Sequence, residues 1–128
     1  MFRIDLKSGE ALYLQLKEQI LKLVFMGGLS PNEQLPSVRN MARDLGINPN
    51  TVAKAYQQLE ADGAIYSVPG KGSFIAEDIL KNSAVKQNAV ENFRQAAKKA
   101  CQLLVEKQVL NQVLDQVYST FEQRRNDG

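Results

Sequence analysis

Three short polar clusters carry the chemistry that this sequence can do. In the first, Ser37 and Arg39 stand at the predicted start of a helix. The N–H groups of a helix N-terminus and a capping hydroxyl suit a phosphate, and the planar fork of Arg39 can grip a phosphate or a guanine edge through two hydrogen bonds. Taken alone, the pair reads equally as a surface cap and a solvated arginine. In the second cluster Asn48, Asn50 and Thr51 occupy the first turn of the next helix, with Lys54 about one turn further on. An Asn amide donates and accepts at once, which suits adenine. Asn48 has a competing use as a helix cap, and Lys54 is placed to reach a phosphate. The third cluster is Gly70-Lys71-Gly72, whose glycines permit positive φ and close backbone approach, while Lys71 brings charge to a minor groove or to flanking phosphates. Gly70-Lys-Gly-Ser73 is not a nucleotide-binding P-loop: it fails the G-x-x-x-x-G-K-[ST] spacing and lies between strands rather than before a helix.

The composition excludes several other chemistries. There is no histidine, and Cys101 is the single cysteine. An intrachain disulfide is impossible, a structural zinc or other metal site is not expected, and the commonest general base is missing. No cofactor loop or carboxylate pair with a plausible pocket is present, so the chain reads as a non-enzyme without cofactor. The net charge is only +2, with eight Lys/Arg against seven Asp/Glu in residues 1–76 and the same numbers in 77–128. Any nucleic-acid contact must therefore come from local placement of charge. No apolar run approaches the roughly 18 residues of a membrane span, and no signal peptide is recognisable at the N-terminus. A cytoplasmic location without membrane contact is expected.

The elements that position these clusters follow from periodicity and punctuation. Residues 1–9 read as an extended arm, with Ser8 as a possible cap. Tyr13, Leu16, Ile20, Leu23 and Val24 recur at helical spacing, which predicts a helix over 10–26, ended by Gly27-Gly28. A loop with Pro31 and Pro36 follows. Ser37 caps a short helix with Val38, Met41, Ala42 and Leu45 on its inner face, stopped by Gly46. Asn48 caps the next, Pro49 takes its first position, and residues 49–62 bury Val52, Ala55, Leu59 and the body of Tyr56. The Tyr56 hydroxyl either faces a DNA backbone or stays partly exposed as the ring packs, and packing is the favoured reading. Ala64–Val68 and Ser73–Ala76 read as two strands around the Pro69–Gly72 turn. The fold class is mainly α with a small β-hairpin, a winged helix-turn-helix over 1–76. Over 77–128 a helical tail is expected. Val90, Phe93, Ala97, Ala100 and Leu104 form one stripe; Leu110, Val113, Leu114, Val117, Tyr118 and Phe121 form another, out of phase. Two helices broken near 104–108 are expected, with one bent helix as the alternative. Cys101 is expected to be a small buried or interfacial residue.

Four ordered motifs, Leu35-Pro-Ser-Val-Arg39, Gly46-Ile-Asn-Pro-Asn-Thr-Val52, Leu59-Glu-Ala-Asp-Gly63 and Gly70-Lys-Gly-Ser-Phe74, resemble the GntR family of bacterial regulators. The Asn-Pro-Asn-Thr-Val run and the short helical tail resemble its YtrA-type subfamily. The resemblance is close over 10–76 and extends to the tail only in length and helical character. It implies DNA contacts from Ser37 and Arg39. Much of the family carries Arg where Pro49 stands, so no guanine contact is carried over to that position. It further implies a homodimer paired through the tail, for which Phe93, Ala97, Leu110, Leu114, Val117 and Phe121 are the expected interface. Double-stranded DNA is then the partner, through a pseudo-palindromic operator, with repression the expected outcome and a transporter operon the target that the resemblance to the small subfamily suggests. About fifty residues after the wing leave too little chain for a separate effector domain, although a small-molecule effector could still bind at the tails. The rival reading is an architectural or protein-docking winged helix without sequence-specific DNA binding.

Overall fold

The computed structural model describes residues 2–5 and 11–127, with the backbone alone at residues 83 and 123–127. The expected cap Ser8 lies outside the described residues. The elements in order are α1 (Leu12–Phe25), α2 (Val38–Leu45), α3 (Pro49–Ala61), β1 (Ile65–Val68), β2 (Gly72–Ile75), a 3-10 turn (Ile79–Lys81), α4 (Ser83–Gln102) and α5 (Lys107–Asp127). The chain divides into two compact units, 1–86 and 87–128.

In the first unit, α1 and α2 both pack on α3. The inner faces are those the 3.6-residue period marks: Leu16, Ile20 and Val24 from α1, Met41 and Ala42 from α2, and Val52, Ala55, Tyr56 and Leu59 from α3. Full burial of one such aliphatic side chain contributes about 1.5–3 kcal/mol. Gly46, at φ 68°, closes α2 in the left-handed region, which a residue with a Cβ enters at a cost. Only Ile47 and Asn48 separate it from Pro49, which fixes the sharp turn between α2 and α3. Residues 2–5 run alongside α1. There the Gln15 side chain accepts from the Asp5 N–H and donates to its carbonyl, and the Gln19 side chain accepts from the Arg3 N–H.

The antiparallel hairpin pairs Ile65 with Ile75 and Val68 with Gly72. The loop before α2 adds to it, a feature absent from the sequence reading. Asn32 N–H donates to the Ile75 carbonyl, Ile75 N–H to Glu33 and Leu35 N–H to Ser73, with a bridge between Gln34 and Phe74. The core continues past the hairpin. Ile79 is fully buried, and Val85 packs partly buried against the core. Asn82 holds this segment. Its amide donates to the carbonyls of Asp62 (3.1 Å) and Gly63 (2.9 Å), and its Oδ1 accepts from the Val85 N–H in the first turn of α4. One side chain thus closes the end of α3 and opens α4. Residues 77–82 are accordingly a turn rather than the start of a helical tail.

In the second unit the break lies at residues 103–106, one residue earlier than its expected start, and α4 and α5 make little contact with each other. Leu104 falls in the break, not on a helical stripe. Its φ is 62°, and the Val105 N–H to Ala100 and Leu104 N–H to Cys101 bonds form the closed end that glycine usually makes.

Candidate nucleic-acid interface

Ser37 and Asn48 both act as helix caps. Ser37 Oγ accepts from the Asn40 N–H at 3.0 Å, and Asn48 Oδ1 accepts from the Asn50 N–H at 2.8 Å. Each cap satisfies one of the N–H groups that a helix start leaves unpaired. It also fixes the turn that carries the neighbouring candidates. Arg39 is exposed in the first turn of α2, and no ion pair or hydrogen bond is formed by its guanidinium among the described residues. Asn50 is exposed and Thr51 half-buried in the first turn of α3.

Along α3, exposed and buried positions separate cleanly. Asn50, Lys54 and Gln57 are exposed, three and four residues apart and therefore on one face. Val52, Ala55, Tyr56 and Leu59 are buried opposite. Gln57 was not singled out from sequence, although the same periodicity that found the buried face places it outside. Lys54 is exposed, and its Nζ lies 3.9 Å from the centre of the Tyr13 ring.

Tyr56 packs, as favoured, but its hydroxyl is not left exposed: it donates to the Pro36 carbonyl at 2.6 Å. Burial pushes this phenol well above its ordinary range, so it remains a donor. Two residues earlier, Gln34 Nε2 donates to the carbonyl of Lys71 at 2.7 Å. Four consecutive residues therefore pin three pieces of the surface. Gln34 holds the wing tip, Leu35 pairs with β2, Pro36 is held by α3, and Ser37 starts α2. Gln34 went unrecognised in the sequence because its partner is 37 residues away. At the tip Gly72 has φ 127°, and a Cβ there would stand 2.9 Å from Gln34 Nε2. Gly70, at φ 76°, completes the turn and leaves Lys71 exposed.

Of the tail candidates, Phe93, Leu114, Val117 and Phe121 are exposed, while Ala97 and Leu110 are half-buried. Cys101 is exposed rather than buried. Among the described residues no group of three His, Cys, Asp or Glu side chains is placed to hold a metal ion, and no helix is long and apolar enough to cross a membrane.

A three-helix unit with a hairpin against it, polar caps at α2 and α3, and an amide- and lysine-bearing outer face on α3 define a winged helix-turn-helix regulator of the DNA-binding class. The profile of bacterial regulatory proteins, gntR family, matches residues 12–75, and the chain belongs to that family. The HTH-type transcriptional repressor YtrA of Bacillus subtilis is 41% identical over 78 residues, which span 61% of this chain and 60% of the repressor. A transcriptional antiterminator from Listeria monocytogenes EGD-e superposes with a TM-score of 0.76 at 33% identity, covering 92% of this chain and 90% of that one. YtrA from Sulfolobus acidocaldarius, a GntR-family transcription factor, superposes with a TM-score of 0.59 at 34% identity, covering 75% and 97% respectively. These relatives are transcription regulators rather than enzymes, in agreement with the sequence reading.

Proposed function

We propose that the chain is a sequence-specific repressor that binds a pseudo-palindromic operator as a homodimer. The observation that carries this reading is the pinning of α2, α3 and the wing by residues 34–37, which presents Arg39, the outer face of α3 and Lys71 from one preassembled support. The first turn of α3 enters the major groove, with Asn50 and Thr51 at base edges. Asn48 shapes that turn as its cap through Oδ1, and its amide hydrogens, which the cap does not use, serve a base or phosphate. Ser37 and the start of α2 approach a phosphate, Arg39 grips a phosphate or guanine, and the Gly70-Lys71-Gly72 tip lies at the flanking minor groove. The second unit pairs two copies. Its support is the uncovered apolar surface of Phe93, Leu114, Val117 and Phe121, with the half-buried Ala97 and Leu110 beside it. Cys101 then lies near the interface. Repression is the activity named for the B. subtilis relative and is proposed here by that likeness, with control of a transporter operon as one outcome that fits a small regulator of this type.

Selection of bound sites from random duplex DNA tests the reading. The expected product is a near-palindrome with half-site centres about one helical turn, roughly 34 Å, apart. Selected sites without two-fold symmetry would contradict the dimer. Failure to select any site, with little dependence on salt, would favour the architectural module instead.

A further inference from the structure

The recognition helix α3 carries a single cationic side chain, Lys54, which is exposed yet rests against an aromatic ring. Tyr13, from the first turn of α1, sets its ring beneath the ammonium with 3.9 Å between Nζ and the ring centre. The ring itself is anchored, being half-buried and packed against the core. The electron-rich face of an aromatic ring attracts a cation without neutralising it. A carboxylate in the same place would cancel the charge that a phosphate needs; an aromatic ring fixes the position and leaves the charge available. A free lysine must also give up most of its rotamer freedom when it docks. One already held over a ring gives up less.

We infer that Tyr13 is a positioning residue for DNA binding, holding Lys54 on the outer face of α3 for a backbone phosphate. This inference rests on the DNA-binding reading above and adds to it a residue from outside the helix-turn-helix.

The test uses the full chain, a duplex carrying the selected site, and the variants Tyr13→Leu, Tyr13→Phe, Lys54→Gln and Tyr13→Leu with Lys54→Gln. In the free protein the ε-methylene protons of Lys54 should resonate upfield, shifted by the ring. That shift should persist in Tyr13→Phe and vanish in Tyr13→Leu. Tyr13→Leu should weaken operator binding about two- to five-fold, a loss within the ordering cost of one long side chain that the ring otherwise reduces. Its salt dependence should stay as in the parent, because Lys54 still reaches the phosphate. Lys54→Gln should weaken binding further and lower the salt slope by about one. In the Lys54→Gln background, Tyr13→Leu should add nothing. Equal loss with and without Lys54 would mean that Tyr13 acts through the fold, and equal loss in Tyr13→Phe and Tyr13→Leu would assign the contact to the hydroxyl. Either result overturns the inference. Unchanged operator affinity in Tyr13→Leu overturns it alone, whereas a parent protein that selects no DNA overturns the proposed function with it.

Discussion

At the scale of single residues, two side chains make opposite contributions to the surface. Arg39 is exposed, and its guanidinium forms no ion pair or hydrogen bond among the described residues, so its removal should leave the fold intact. Arg39→Ala should weaken operator binding by roughly 1–3 kcal/mol if the guanidinium reads a base. If it meets only phosphate, specific and non-specific affinity should fall together and the salt slope should shrink by about one. Equilibrium titration at several salt concentrations separates the two, and unchanged affinity in both measurements would remove Arg39 from the interface. Tyr56 is the reverse case, a buried residue behind the surface. Tyr56→Phe deletes its bond to Pro36 and should cost about 1 kcal/mol in urea unfolding, with the slope of the transition unchanged. Both roles differ in legibility. A cap such as Ser37 or Asn48 is legible because its partner is two or three residues away. Gln34 and the Tyr56 hydroxyl were not, because their partners, Lys71 and Pro36, are brought near only by the folded chain.

At the scale of elements, α1, α2, α3 and the hairpin were legible because apolar spacing, capping residues and glycines agree over each of them. Where these signals thin out, the reading fell short. Residues 32–35 join the hairpin through a few N–H groups with no alternation long enough to announce a strand. Residues 77–82 lack proline and glycine, yet Ile79 anchors them in the core and Asn82 ties them to the end of α3. The tail break was seen through a phase slip rather than through any breaker residue. At the break Leu104 adopts a conformation that costs a non-glycine residue about 1–2 kcal/mol. Leu104→Gly should therefore raise stability, by about 1 kcal/mol once the greater freedom of glycine in the unfolded chain is offset. Thermal unfolding of the two proteins at matched concentration measures this. A loss of stability instead would mean that the Leu104 side chain, 88% exposed in the isolated chain, is covered in the assembled protein.

At the scale of the whole molecule, every buried side chain among the described residues lies between Leu16 and Ile79. The first unit therefore holds its own core, and truncation after Lys86 should leave it folded. Such a protein should sediment as a monomer and bind a half-site as the parent does, while losing the gain that linkage gives on a full operator. The paired change Leu114→Asp and Val117→Asp should give the same behaviour in the full chain, since it places unpartnered charge on the proposed dimer face. A parent protein that remains monomeric at tens of micromolar and still binds the full operator tightly would defeat the pairing. Within the first unit, the tether at residues 34–37 has a thermodynamic consequence. Because wing tip, α2 and α3 are already joined before DNA arrives, association need not fold any of them. Its heat-capacity change should then match the rigid surface removed from water, without the large negative excess that marks coupled folding. Calorimetry across temperature would thus register the operator meeting a finished shape, and discrimination between sites would fall on the deformability of the DNA rather than on that of the protein.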